Sequence, residues 1–143
     1  MARVTTYLNF ARCTEEAFAF YAEVFGTQVE GEINRLGAVP PDGSQLPMSE
    51  EDKNLVMHIS LPILGGHVLM GTDAPESLGF SLVFGNNQFI NLEPDSYEEA
   101  HRLMMRLSEG GEVLMPLTEM FWGGWFGNLT DRFGVQWMVN FGG

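Results

Sequence analysis

Three histidines are the side chains best suited to metal binding or proton transfer in this sequence. His58 and Ser60 alternate with apolar residues on one predicted strand, and His67 opens the next predicted strand. Two imidazoles on neighbouring strands could hold a metal ion, and His58 is also a candidate catalytic general base. The alternative is that each is a packed or surface histidine. His101 follows Ala100 on a predicted helix, and we expect it to face solvent.

Glu119 is the other candidate catalytic residue, as a proton acceptor beside an aromatic segment. No second acid or base is held near it by the spacing of the sequence, so no mechanism follows from Glu119 alone. Thr118 and Asn128 flank the same segment and could orient a ligand. Three more asparagines stand near strand ends, where they either contact a ligand or bond to the backbone. They are Asn9, Asn91 and Asn140.

The aromatic segment itself, residues 121–126, places four rings around two glycines. One interpretation is a hydrophobic hairpin that holds two sheets or two subunits together. The other is a stacking wall for a planar or apolar ligand, to which Phe121, Trp122 and Trp125 would contribute. The two interpretations are compatible, and we expect Trp137 to lie in the core instead.

Two familiar cofactor motifs are missing from the sequence. Gly65-Gly66 and Gly123-Gly124 are followed by no Gly-Lys-Ser/Thr and open no helix, so neither is a phosphate-binding loop. The first link from strand to helix, residues 11–13, lacks the glycine-rich turn that a nucleotide or S-adenosylmethionine site requires. These residues therefore do not support a methyltransferase.

Composition narrows the possible partners. The 143 residues include 19 acidic and 7 basic side chains, a formal net charge of -12 that repels nucleic acid and anionic lipid. The only cysteine, Cys13, cannot form an intramolecular disulfide, and no apolar stretch approaches the roughly 20 residues of a spanning helix. Residues 1–4 do not resemble a signal peptide. We therefore expect a cytoplasmic protein with no nucleic-acid or membrane partner.

Two segments have the apolar period of a helix. The first stripe, with Thr14 as the expected N-cap and Gly26 as the stop, runs through Ala17, Phe20, Tyr21, Val24 and Phe25. The second follows a capping-box pattern at Ser96 and ends at Gly110-Gly111, with its stripe at Tyr97, Ala100, Met104 and Leu107. The predicted strands are 4–10, 28–36, 55–61, 67–72, 88–92, 112–118, 125–130 and 135–141. Residues 37–54 are predicted as a mobile loop, and 78–84 could be a further strand.

A weak internal repeat organises these elements. Tyr7-Leu8-Asn9-Phe10 before the first helix is echoed by Phe89-Ile90-Asn91-Leu92 before the second. Each copy reads strand, helix, then three strands, which predicts one α+β domain made of a module at 1–75 and a module at 76–143. Because a single helix covers one face of a four-stranded sheet, we expect the two sheets to curve around a shared cavity.

The sequence resembles a known family at two places. Tyr7-Leu8-Asn9-Phe10, followed by residues 16–21 and by Val24-Phe25-Gly26, resembles the first module of the vicinal oxygen chelate superfamily of glyoxalases, bleomycin-resistance proteins and dioxygenases. The long stretch 116–138 is similar to the PhnB-like branch of that superfamily. The resemblance implies paired βαβββ modules that surround a cavity, and it implies a homodimer. It also implies a divalent metal, which most of the superfamily's enzymes hold.

The metal ligands implied by the resemblance fall at positions where this sequence has poor donors. Those positions are Thr6, Met70, Phe89 and Met138. Thioethers are soft and neutral, and phenylalanine has no donor atom, so a hard divalent cation would gain little there. We therefore expect no metal cofactor, with these four side chains lining the ligand cavity together with Asn9 and Asn91.

The leading hypothesis is a PhnB-like homodimer that binds a small, partly apolar molecule in a cavity walled by aromatic and methionine side chains. A first alternative is a lyase, isomerase or dioxygenase with a metal held by His58. A second is a resistance protein that sequesters a cationic drug by its acidic charge, in which case affinity would weaken with salt.

Overall fold

A computed structural model describes residues 2–38 and 48–142 of the chain. The fold is α+β and divides into two compact units, with the division between Leu82 and Val83. Each unit consists of one four-stranded mixed sheet and one long helix. In the part of the chain that is described, no helix combines the length and the apolar character needed to cross a bilayer.

The first unit has the predicted order of strand, helix and three strands, with one added short helix. Its elements are β1 Thr6–Phe10, α1 Thr14–Phe25, β2 Asn34–Arg35, α2 Glu50–Lys53, β3 Val56–Pro62 and β4 Val68–Asp73. The strand order in the sheet is β1-β4-β3-β2, in which β1 and β4 are parallel and the other pairs antiparallel.

Helix α1 buries its predicted stripe and begins differently from the prediction. Ala17, Phe20 and Tyr21 are buried, and Gly26 ends the helix in the left-handed conformation. Thr14 is not the N-cap: it is the first helical residue, and the residue at the cap position, Cys13, does not cap the helix with its side chain. Asp73 at the end of β4 satisfies the helix start instead, because its Oδ1 accepts from the Thr14 amide at 3.1 Å and from Thr14 Oγ1 at 2.8 Å.

The second predicted strand, 28–36, is corrected to the two residues Asn34–Arg35. Gly31 lies between its halves with φ of 66° and turns the chain out of the extended conformation. One bond remains before that turn, from the Glu30 amide to the Ser60 carbonyl at 2.8 Å.

The two segments predicted as loops differ from the prediction in part. Of 37–54, residues 39–47 lie outside the described residues, and the end of the segment contains α2, which was not predicted. Ser49 caps α2 by accepting from the Asp52 amide at 3.1 Å. The possible strand at 78–84 follows a 3-10 helix, Glu76–Leu78, and its described residues form no strand.

The second unit repeats the topology of the first. Its elements are β5 Ile90–Leu92, α3 Tyr97–Leu107, β6 Glu112–Glu119, β7 Trp125–Thr130 and β8 Gln136–Phe141. The strand order is β5-β8-β7-β6, again with the first and last strands of the unit parallel. Two units of the same connectivity confirm the order inferred from the internal repeat.

Helix α3 forms half of the expected capping box. Ser96 Oγ accepts from the Glu99 amide at 3.1 Å, as predicted. The Glu99 carboxylate pairs with Arg102, at 2.9 and 2.6 Å, and this ion pair holds the Glu99 pKa below its usual range. The helix buries Ala100, Leu103 and Met104 against its sheet.

Candidate functional site

Pairing within the second sheet separates a helix-covered face from a helix-free face. A Cβ added to Gly127 would lie 3.0 Å from Met104 Cε on α3, so Gly127 and its partner Val139 face the helix. Side chains alternate along a strand, so Asn128 and Met138 face the other way. We call the side to which they point the helix-free face of the second sheet.

One row of four paired residues crosses this helix-free face. Asn91 on β5 pairs with Met138 on β8, Met138 with Asn128 on β7, and Asn128 with Met115 on β6. Asn91 is exposed and the other three are half-buried. The row therefore alternates amides with thioethers, which are flexible and polarisable groups.

The Asn128 side chain contains an unsatisfied acceptor. Its Oδ1 is buried and accepts no hydrogen bond from any residue that the structure describes. A buried acceptor without a donor costs about 1–3 kcal/mol. Asn128 was predicted only as one of several groups that could orient a ligand, because the sequence does not reveal which amides are paired.

Neighbouring side-chain amides on the same face, unlike Asn128 Oδ1, form hydrogen bonds with residues that the structure describes. Asn140 Nδ2 donates to Asn91 Oδ1 at 2.5 Å, and Gln136 Nε2 donates to the Gln88 carbonyl at 2.9 Å. Phe126 pairs with Asn140 and adds a half-buried ring to this face. Phe89, two residues before Asn91, has the same parity and is half-buried. The structure thus brings Phe89, Asn91 and Met138 to one face of the second sheet.

The first sheet holds a different group of side chains on its helix-free face. Tyr7 pairs with Met70, and Met70 pairs with Ser60. The Tyr7 hydroxyl lies 3.2 Å from His58 Nδ1, and the two ring centroids are 5.8 Å apart. Tyr7 was not predicted as a site residue, because the family resemblance implied Thr6 as the residue of β1 at the metal position.

That implied position is corrected by the pairing of β1. Thr6 pairs with Leu69 and so lies on the face that α1 covers, opposite Met70. Thr6 Oγ1 is 2.9 Å from His67 Nε2, which gives this histidine a local partner. Asn9 pairs with Thr72, shares the helix-free face with Tyr7 and Met70, and is exposed.

Apart from Phe126, the aromatic segment does not join the row on the second sheet. Trp125 faces α3, where its ring contacts Tyr97 edge-on with centroids 4.9 Å apart. Phe121 and Trp122 contact each other in the turn between β6 and β7, where Phe121 is 97% exposed. Glu119 pairs with Trp125 at the end of β6 and is exposed, on the face opposite Asn128.

Two of the remaining candidates make local contacts. His101 is exposed on α3, as expected, and stacks on Tyr97 at 6.1 Å. Trp137 is fully buried, also as expected, and its Nε1 donates to Asp131 at 2.8 Å.

Charged groups of the first unit form a structural cluster at Arg12. Its guanidinium donates to Asp52 at 2.7 Å, to Glu76 at 3.0 Å and to Ser77 at 3.2 Å. Ser77 Oγ donates to the other oxygen of Asp52 at 2.5 Å. The Ser77 hydrogen bond, followed by that of Arg12, holds the Asp52 pKa below its usual range. This cluster joins α2 to the link between β1 and α1.

The side chains at the implied metal positions do not fit a hard divalent cation. Met70, Phe89 and Met138 lie on helix-free faces but offer only thioethers and a hydrocarbon ring, and Thr6 lies on the other face of its sheet. Within residues 2–38 and 48–142, no three His, Cys, Asp or Glu side chains are grouped so that they could hold a metal ion.

Comparison with known proteins agrees with this architecture. The model of the Glyoxalase/Bleomycin resistance protein/Dioxygenase superfamily matches residues 7–139. The chain belongs to this superfamily. It is 29% identical to Protein YjdN of Escherichia coli strain K12, over 96% of this chain and 93% of the relative.

Two solved structures place it more closely within the superfamily. Protein PA1353 from Pseudomonas aeruginosa is 35% identical with a TM-score of 0.77, over 99% of this chain and 98% of that one. A PhnB protein from Bacillus cereus, described as a putative 3-demethylubiquinone-9 3-methyltransferase, is 26% identical with a TM-score of 0.75, over 99% and 100%. The superfamily member is therefore PhnB- and YjdN-like.

Proposed function

We propose that this protein binds a small, partly apolar organic molecule on the helix-free face of the second sheet, without the divalent metal of the superfamily's enzymes. The observation that supports this proposal is the row of Asn91, Met138, Asn128 and Met115, which combines adaptable apolar groups with polar groups in one register. Binding sites for small molecules have this composition, a mainly apolar surface with a few polar groups that orient the ligand.

Native mass spectrometry, combined with elemental analysis of protein purified without chelators, tests the proposal. The expected result is an organic adduct and no stoichiometric divalent metal. Met138→Ala should remove or weaken the adduct because it deletes the flexible apolar group at the centre of the row. Met105→Ala is the matched control, because Met105 is exposed on α3. A stoichiometric metal would contradict metal-free binding, and equal adducts in the two variants would contradict the site.

A second candidate function is a lyase or isomerase in which His58 transfers a proton. The contact between the Tyr7 hydroxyl and His58 Nδ1 at 3.2 Å favours it, because a base held by a second polar group is the usual arrangement for proton transfer. Tyr7→Phe should then lower turnover while leaving binding on the second sheet unchanged.

A third candidate function is sequestration of a cationic drug, which the net charge of -12 would attract. The affinity of the protein for such a drug should fall as the salt concentration is raised.

We also propose that the protein is a homodimer. Strand β6 lies at the edge of its sheet and has two exposed apolar side chains, Val113 and Leu114, followed by the exposed Phe121. Edge strands with exposed apolar residues pair readily with other chains unless they are covered. A second copy of the chain would cover this edge.

A further inference from the structure

We propose that Asn128 Oδ1 accepts a hydrogen bond from an amine or ammonium group of the ligand, whose apolar part lies against Met138 and Phe126. This inference rests on the proposed function and names the chemical class of the molecule bound at that face. It identifies Asn128 as the residue that selects the ligand.

The first argument is the contrast between Asn128 and the other amides of the same face. The Asn91 Oδ1 atom accepts from Asn140, and Gln136 donates to the Gln88 carbonyl, whereas the buried Asn128 Oδ1 has no donor among the described residues. A protein gains nothing in stability from such an acceptor, because its desolvation is uncompensated. Because the oxygen is buried, a ligand donor reaches it when one of the flexible methionines in register with it, Met138 or Met115, changes rotamer, and the new hydrogen bond then compensates its desolvation.

The second argument concerns the groups on either side of that oxygen. In register with Asn128 lie Met138 on one neighbouring strand and Met115 on the other. Thioether sulfurs are weak acceptors with a polarisable surface, and they tolerate both an alkyl or aromatic group and a nearby cation. The oxygen is thus an acceptor between two soft apolar groups.

The third argument is the charge of the sheet. The four strands of the second sheet, all of them described, contain no Lys, Arg or His, and their charged residues are Glu112 and Glu119. Anions in proteins are bound by guanidinium or ammonium groups or by clustered amide donors. A sheet with this composition, in a chain of net charge -12, favours a neutral or positively charged donor over a phosphate, phosphonate or carboxylate.

Three probes of matching shape test this inference: benzylamine, toluene and benzoate. Binding is followed by NMR through the Met138 methyl group and the Asn128 side-chain amide. Benzylamine should bind about tenfold or more tightly than toluene, as expected for one hydrogen bond from a charged donor, and benzoate should bind most weakly. Asn128→Leu should abolish the preference for benzylamine and leave the affinity for toluene unchanged.

Two further variants keep the result interpretable. Asn140→Leu, in the neighbouring row, should retain the preference, because Asn140 already donates to Asn91. Asn128→Asp should strengthen benzylamine binding and weaken benzoate binding, and it provides the test if the leucine variant does not fold. Equal affinities for all three probes, or a preference for benzoate, would overturn the inference while the proposed function stands. If no probe shifts the Met138 methyl signal, both the inference and the proposed function fail.

Discussion

A buried carboxylate stabilises the turn before the last strand of the second unit. Asp131 Oδ1 accepts from the amides of Phe133 and Val135, at 2.9 and 3.0 Å, and Oδ2 accepts from Trp137 Nε1. Asp73 has the corresponding role in the first unit, since it accepts from Thr14 and from the Val56 amide. Asp131 thus fixes the turn to the start of β8, and Asp73 joins the start of α1 to the start of β3.

Asp131→Ala should therefore be strongly destabilising. The substitution leaves the donors of Phe133, Val135 and Trp137 without their acceptor, and we expect a loss of about 3 kcal/mol in the free energy of unfolding. Urea unfolding followed by tryptophan fluorescence measures it. Asp95→Ala, at an exposed position, is the control. A loss in Asp131→Ala no larger than that of the control would contradict this role.

The ion pair between Glu15 and Arg35 predicts a dependence of stability on pH. Arg35 donates to both oxygens of Glu15, at 2.7 and 3.0 Å, and lowers the Glu15 pKa from its ordinary value of 4.5. Because the pKa is lower in the folded state, the stabilisation is complete above the unfolded pKa and is lost as the pH falls through the folded pKa.

Glu15→Gln should accordingly be less stable than the wild type at pH 7 and equal to it in acid. The side chains are partly exposed, so the difference at pH 7 is expected to be below about 1 kcal/mol. Thermal unfolding across pH 2 to 7 tests this, with Glu16→Gln as the control at the next helical position. A difference that persists unchanged in acid would exclude the ion pair as its source.

At the scale of single residues, the sequence predicted three side chains that lie on one face of the second sheet, and it did not predict which residue of β1 lies beside Met70. Phe89, Asn91 and Met138 share a face because strand alternation relates positions on the same strand, and their strands pair in register. Thr6 and Met70 are on different strands, and only the observed pairing of Tyr7 with Met70 decides which residue of β1 lies beside Met70. An alternation pattern cannot supply that register.

Among the elements, α1 is held against its sheet by a close approach at Gly71. A Cβ added there would lie 2.7 Å from Phe18 Cε1 and 3.1 Å from Thr14 Cγ2. Phe18 is fully buried, so its ring has little space into which to move.

Gly71→Ala is expected to destabilise the first unit by about 1–3 kcal/mol, because overpacking forces the helix or its ring away from the sheet. Differential scanning calorimetry or urea unfolding measures the loss. Gly85→Ala is the matched control, since an added Cβ there would meet only Asn87 Oδ1 at 3.5 Å. An alanine at position 71 that leaves stability unchanged would indicate that α1 is loosely packed.

The helices could be predicted from sequence more completely than the second strand. An apolar stripe with end signals is a local property, and it located both ends of α1 and the start of α3 within a residue, whereas α3 ends at Leu107, before the predicted stop at Gly110-Gly111. The length of β2 depends on how many residues of 28–36 pair with a neighbouring strand, which is not a local property. Gly31 adopts the left-handed conformation, and the ladder with β3 contains only Asn34–Arg35. Helix α2 has only four residues, too few for a periodic signal.

For the whole molecule, the exposed apolar edge at β6 leads to a prediction about assembly. Light scattering at micromolar concentration should give twice the chain mass of 15.9 kDa. Leu114→Glu should shift the protein toward the monomer, because the charge would be buried on pairing. Met105→Glu, at the exposed Met105 of α3, should remain dimeric. A wild-type monomer would exclude the homodimer, and a dimeric Leu114→Glu would exclude β6 as its contact.

The topology of both units was predictable because the chain repeats it. The echo between Tyr7-Leu8-Asn9-Phe10 and Phe89-Ile90-Asn91-Leu92 indicated two copies of one unit, and the sheets have the matching orders β1-β4-β3-β2 and β5-β8-β7-β6. The ligand-selecting role proposed for Asn128 was beyond the sequence, because it depends on which amides have partners.

The parallel pairing of the first and last strands in each unit has a consequence for biosynthesis. Thr6 cannot meet Leu69 until nearly the whole first unit has left the ribosome, and Ile90 likewise waits for Trp137. The chain must close this long loop before the pairing of β1 with β4, or of β5 with β8, can stabilise the sheet. Each half of the nascent chain should therefore gain its tertiary structure late and in one step. Ribosome-arrested chains ending before residue 69 should be cut by protease throughout, whereas those extending well past residue 73 should yield a resistant fragment.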